Sequence, residues 1–148
     1  MTLADIYKQR NEFDKALEVY NNIISFNVDN MTNVSKDFKE KEIASYKELS
    51  INARFAKALL LRNELNNSGN PDALSDALNE YKTILQEYPD SKEAELGEAV
   101  TLLDLNKVDE GISILKSLSA ESSPEGETAK SLLENFISQQ STNGKGDN

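Results

Sequence analysis

Asp76-Ala77-Leu78-Asn79-Glu80-Tyr81-Lys82-Thr83-Ile84-Leu85, closed by Tyr88-Pro89-Asp90-Ser91, predicts an amphipathic helix followed by a turn. Ala77, Leu78, Tyr81 and Ile84 recur at the three-and-four spacing of one helix face. Thirty-four positions later the face returns: Gly111 stands for Ala77, Ile112 for Leu78, Leu115 for Tyr81 and Leu118 for Ile84. The helix before each copy repeats as well. Ala53-Arg54-Phe55-Ala56-Lys57-Ala58-Leu59-Leu60-Leu61 matches Ala94-Glu95-Leu96-Gly97-Glu98-Ala99-Val100-Thr101-Leu102 at an offset of 41. The surplus falls in Asn66-Asn67-Ser68-Gly69-Asn70-Pro71, an enlarged turn. A repeat of this length built from paired helices reads as a solenoid unit, each pair burying its apolar face against its neighbours.

Composition agrees with this reading and removes several chemistries. The chain has 148 residues, 38 % hydrophobic, with six Gly and three Pro, which suits a helical core better than a strand-and-turn fold. It contains no Cys, His or Trp, so thiolate sites, imidazole ligands and the commonest general base are all missing. Net charge is −10, and residues 67–123 alone carry −8. Phosphate backbones and anionic lipid surfaces both call for Lys and Arg, so neither nucleic acid nor direct membrane insertion is expected. The acidity serves solubility, and it also suits a basic or amphipathic segment of a partner protein. No run approaches the ~20 apolar residues of a membrane span. Met1-Thr2-Leu3-Ala4-Asp5 does not begin a secretory signal. The expected setting is soluble and cytoplasmic, or a bacterial periplasm if a signal has been removed.

Taken from its start, the chain gives a short helix at Leu3–Arg10, a turn at Asn11-Glu12 and a second helix from Phe13 to Phe26. Ala4 and Ala16 are twelve apart, as are Ala99 and Gly111. A small residue on each helix lets two axes approach closely where they cross. Leu3 to Tyr20 thereby resembles a tetratricopeptide repeat, and the resemblance extends over most of residues 3–118, weakest at 27–50. It implies about three helix pairs. The region 27–50 holds about twenty residues beyond the repeat period, in a polar connection at 27–35 and a helix from Lys36 towards Asn66 that either runs through Ser50 or breaks there. Ser123-Pro124-Glu125 predicts a capped helix start, and Ala129, Leu132, Leu133, Phe136 and Ile137 form its apolar face, a terminal cap for the array. One repeat domain over 1–140 and a disordered tail at 141–148 complete the expected organisation.

Chemistry is sparse. Gly144-Lys145-Gly146 lies in the tail without the strand and helix of a phosphate loop. Asp90, Glu93, Glu95 and Glu98 are expected to stabilise a helix N-terminus, not to bind metal. Asn30, Asn33 and Asn66 fit the glycosylation acceptor pattern, a weak signal in a chain with sixteen Asn. Tyr7, Phe13, Tyr20 and Tyr81 read as packing residues. No cofactor and no catalytic residue is expected.

A second stripe supplies the candidate binding residues: Phe55, Leu59 and Arg62 on one helix, and Leu96, Val100, Leu103 and Asp104 on its counterpart. In the resembled family, the first helices of successive units line a groove that receives peptide segments. The stripe is therefore either a partly apolar groove or buried beneath 36–50, with burial the preferred expectation. Family members that hold a chaperone's C-terminal carboxylate use Lys, Arg and Asn on those helices. The corresponding Asp5, Ala56 and Gly97 donate nothing from their side chains, which disfavours that ligand. The expected function is a non-catalytic adaptor or scaffold for a segment of another protein. Alternatives are a structural subunit whose groove is already occupied, and a hydrolase built on carboxylates.

Overall fold

Seven α-helices and no strand occur among residues 1–26 and 35–143, the part of the chain that the computed structural model describes. They are α1 (Leu3–Gln9), α2 (Phe13–Ser25), α3 (Lys36–Leu60), α4 (Ala73–Glu87), α5 (Lys92–Asp104), α6 (Val108–Ser119) and α7 (Pro124–Asn143). The all-α class expected from the sequence is observed. The connection at 27–34, with the acceptor patterns at Asn30 and Asn33, lies outside the described residues, as does 144–148 of the expected tail. The chain divides into two compact units, Met1–Glu80 and Tyr81–Asn148, so that the boundary falls inside α4.

In the first unit, Thr2 starts α1 through a capping box. Its hydroxyl accepts from Asp5 N at 3.2 Å, and its own N–H donates to the Asp5 carboxylate at 2.9 Å. Asn11 then turns the chain with a left-handed φ of +57°, and Glu12 N–H reaches back to Tyr7 O at 2.9 Å. This places Ala4 and Ala16 in the interior, at 1 % and 0 % exposure. The small pair marks the crossing of α1 and α2, as its spacing predicts.

α3 is capped by Ser35, whose hydroxyl accepts from Phe38 N at 3.3 Å. It runs unbroken through Ser50, which settles the alternative left open by the sequence. It ends in a π-helical turn, Leu61–Leu65, in which Asn66 N–H bonds Leu61 O five residues back at 3.0 Å. The wider turn keeps Leu60, Leu61 and Leu65 all buried. Gly69, at φ +88°, closes the end while Asn70 N–H bonds Leu65 O at 3.0 Å. α4 returns with Glu80 gripped by two cations of α3: Arg54 Nη1 and Lys57 Nζ, each at 2.7 Å.

In the second unit, α5 and α6 repeat the first hairpin. Asn106 has φ +60° and Lys107 N–H bonds Leu102 O at 2.8 Å, the geometry of Asn11 and Glu12. Ala99 faces Gly111, where an added Cβ would come within 2.9 Å of the Ala99 carbonyl oxygen. Ala99, Leu115, Leu118 and Ala129 form the interior, with Leu96, Leu103, Ile112, Leu132 and Leu133 packed around it. Ser123 caps α7 by accepting from Gly126 N at 3.0 Å, with Pro124 in the first turn as its sequence predicts. α7 runs to Asn143.

Candidate functional site

A cleft of about 220 Å³ opens in the first unit between α1, α2 and α3. Its floor comes from Ala4 and Ala53, both buried, and its sides from Val19, Tyr20, Ile23 and Leu49. Leu49 is 49 % exposed, so it forms a rim and not a sealed wall. Thr2, Asp5 and Asn52 give one part of the cleft polar groups. Asp5 and Ala56, two of the three positions that the family resemblance places on the peptide-receiving helices, both line it.

The electrostatics are mild. The Thr2 backbone N–H, and then its hydroxyl bond, hold the Asp5 carboxyl below the usual carboxylate range, so Asp5 is ionised at neutral pH. Burial raises the Tyr20 phenol above its ordinary value, with the Asp5 charge adding to the shift. Tyr20 is therefore neutral and contributes a ring wall. No three Asp or Glu gather as a metal would require among the described residues. Such a cleft can take an apolar side chain, while the Asn52 amide is a donor and acceptor suited to a backbone.

The predicted stripe is distributed differently in the two units. On α3, Leu59 is 47 % exposed and Phe55 half-buried, and Arg62 in the π-helical turn that follows is half-buried too. On α5, Leu96 and Leu103 pack against the Ala99–Leu115–Leu118–Ala129 interior. Val100 is half-buried and Asp104 exposed. Tyr20 and Tyr81 are buried as packing residues, as expected; Tyr7 and Phe13 are half-buried, with Lys15 Nζ 5.5 Å from the Tyr7 ring centre. One expectation needs correction. Glu93 and Glu95 do occupy the first turn of α5, but Glu98 lies beyond it, with its side chain only 17 % exposed, and helix-end stabilisation does not account for it.

The first-unit cleft itself was missed by sequence reasoning. Leu49 comes from the part of α3 that has no counterpart in the repeat register, and Asn52 aligns with Glu93 as one more polar position, so periodicity gave no reason to single them out.

Paired helices, small residues at their crossings and a capping helix are now in place, and residues 71–140 match a family model described as tetratricopeptide repeat. Over these residues the chain is similar to tetratricopeptide repeats. No curated protein and no solved structure matches the chain. Tetratricopeptide repeats generally mediate protein–protein interaction, and the family is typically non-catalytic. The match spans α4 to α7. The α1–α2 hairpin lies ahead of it; its Ala4 and Ala16 are twelve apart, as Ala99 and Gly111 are, and it turns on Asn11 as α5–α6 turns on Asn106. No helix among the described residues is long and apolar enough to cross a membrane.

Proposed function

We propose that the chain is a non-catalytic adaptor that captures an apolar or amphipathic segment of a partner protein in the first-unit cleft. The observation carrying this reading is the cleft itself: about 220 Å³ with apolar walls, bordered by Thr2, Asp5 and Asn52, on the helices that present peptide in the resembled family. An anchoring aliphatic side chain would fill it, and Asn52 would bond the segment's backbone. The stripe residues belong to this proposal unit by unit, Phe55, Leu59 and Arg62 in the first and Leu96, Val100, Leu103 and Asp104 in the second, with Leu59 and Asp104 the exposed members that a partner would touch. Burial of a few apolar anchors would set residence time, while the acidic surface would speed the approach of a basic partner.

The test is selection of a displayed random-peptide library on the full chain, followed by affinity measurement on Ala56→Glu. Selected peptides should share an apolar anchor, and the variant, confirmed folded by circular dichroism, should bind them at least tenfold more weakly. Peptides without a shared anchor, or affinity unchanged in the variant, would remove the cleft as the capture site.

A further inference from the structure

Two cations hold one carboxylate in the first unit, and the repeat carries that arrangement forward with its signs reversed. Arg54 and Lys57 of α3 grip Glu80 of α4. At the offsets of 41 and 34 that relate the helices, the equivalent residues are Glu95, Glu98 and Ile114. α5 thus offers two carboxylates where α3 offers two cations, and α6 offers an apolar side chain where the counter-charge stands.

Those three residues line one cleft, of about 380 Å³, in the second unit. Leu85 and Pro89 extend its apolar wall, and Ser113 and Ser117 add hydroxyls. The cations nearby are already divided or distant. Lys92 shares itself between Glu95 at 3.4 Å and Glu121 at 2.8 Å. Lys82 Nζ stands 4.0 Å from Glu98, at the outer limit of an ion pair, and its own side chain is half exposed. Burial raises the Glu98 carboxyl above its ordinary value; Lys82 opposes the shift, while Glu110 and Glu95 reinforce it. The cleft therefore holds a desolvated acid whose charge is poorly matched from within the chain.

We propose that this cleft receives a lysine or arginine side chain of a partner protein, its aliphatic stem along Leu85, Pro89 and Ile114 and its charged head at Glu95 and Glu98. Charge complementarity selects that occupant. A purely apolar side chain would desolvate Glu98 further without pairing it, which is unfavourable. A cation with an apolar stem satisfies both walls, and its bonds to carboxylates are the strong, charge-assisted kind. This site is separate from the first-unit cleft and does not depend on it.

The probe is Nα-acetyl-lysine amide, with Nα-acetyl-norleucine amide as its neutral twin, titrated at constant ionic strength into the 15N-labelled full chain. The lysine probe should shift the amides of Glu95, Glu98, Ser113 and Ser117 saturably. Glu98→Gln should weaken that binding at least tenfold. Ile114→Lys, which supplies the cation from within as Glu80 supplies its charge to α3, should abolish it; circular dichroism establishes that both variants are folded. The proposal is overturned if norleucine amide produces the same shifts as strongly, or if the lysine effect survives both substitutions. It is equally overturned if calcium chloride reproduces the shifts at lower concentration, or if no localised shift appears up to the solubility limit. None of these outcomes bears on the first-unit cleft, which is read at Ala56.

Discussion

The ring of Tyr81 occupies the space where a side chain of Gly97 would begin. A Cβ added at Gly97 would lie 2.5 Å from Tyr81 Cζ and closer still to Cε1. Tyr81 is 3 % exposed, so the ring has little freedom to retreat. The equivalent pair in the first unit is Tyr20 and Ala56, by the same register that aligns Ala16 with Ala77 and Ala58 with Ala99. There a methyl group is present, and both residues line the open cleft. One methyl separates a tyrosine packed onto backbone from a tyrosine beside an open cleft.

Gly97→Ala should accordingly destabilise the protein. Alanine gains about 1 kcal/mol over glycine in a helix interior, but overpacking of this kind costs about 1–3 kcal/mol. The expected net loss is about 1 kcal/mol, read as a lower urea midpoint at unchanged slope. A variant more stable than the parent would mean that Tyr81 moves aside freely.

The hairpin turns offer a second check. Asn11 and Asn106 are the non-glycine residues with positive φ among those described, at +57° and +60°, and they stand at matching positions of α1–α2 and α5–α6. Asparagine tolerates the left-handed region because its short amide bonds locally; alanine pays about 1–2 kcal/mol there. Asn106→Ala should lower stability by about 1 kcal/mol, and Asn106→Gly should leave it equal or slightly higher. Equal effects of the two substitutions would contradict the turn geometry.

The grip of Arg54 and Lys57 on Glu80 makes a third. The side chains are 20 %, 19 % and 11 % exposed, so the ions are largely but not wholly removed from water. Removing one member of such a group leaves unmatched charge, and Arg54 already keeps its Nε buried without an acceptor. Glu80→Gln should cost about 2–3 kcal/mol, reduced from the fully buried case by the remaining exposure. Adding Lys57→Met to Glu80→Gln should recover part of that loss. Additive losses in the double variant would show that the two groups do not interact.

Much of this fold could be read from the chain because the sequence states its constraints through residue size. Ala4, Ala16, Ala58, Ala77 and Ala99 are each at most 1 % exposed, as positions where helices cross should be, and no larger residue could replace them without separating the axes. Helix ends were equally plain at Ser123 and Ser35, where a hydroxyl precedes the first free amides. The rest depended on pairs that periodicity does not name. Glu80 reads as one more polar residue of an amphipathic helix until Arg54, 26 positions earlier, is found beside it. Glu98 reads as a helix-start carboxylate until its burial places it in a cleft. Leu49 belongs to a stretch outside the register altogether, so the rim of the first-unit cleft left no trace in the repeat although Tyr20 and Ala56 beside it are in register.

Burial of Glu98 has a consequence for pH dependence. Its carboxyl titrates above the ordinary glutamate value of about 4.5, chiefly because burial disfavours the charge. A raised carboxyl means that the folded state holds the proton more tightly than the unfolded chain does. Its favourable contribution is complete below the ordinary value and is lost as pH rises through the raised one. At neutral pH the ionised Glu98 is therefore a burden on stability. Glu98→Gln, which keeps the shape and removes the charge, should raise the melting temperature at pH 7, with the difference shrinking towards zero as the solution is taken below pH 4. Asp5 supplies the opposite control. The Thr2 N–H holds its carboxyl low, so its contribution is present above the ordinary aspartate value and disappears as pH falls. Asp5→Asn should be destabilising at pH 7 and indifferent in acid. Melting curves of both variants from pH 3 to pH 8 test the pair of signs at once. Were Glu98→Gln to lower the melting temperature at pH 7, Glu98 would be a satisfied structural ion, well matched within the chain and with no charge to offer a partner.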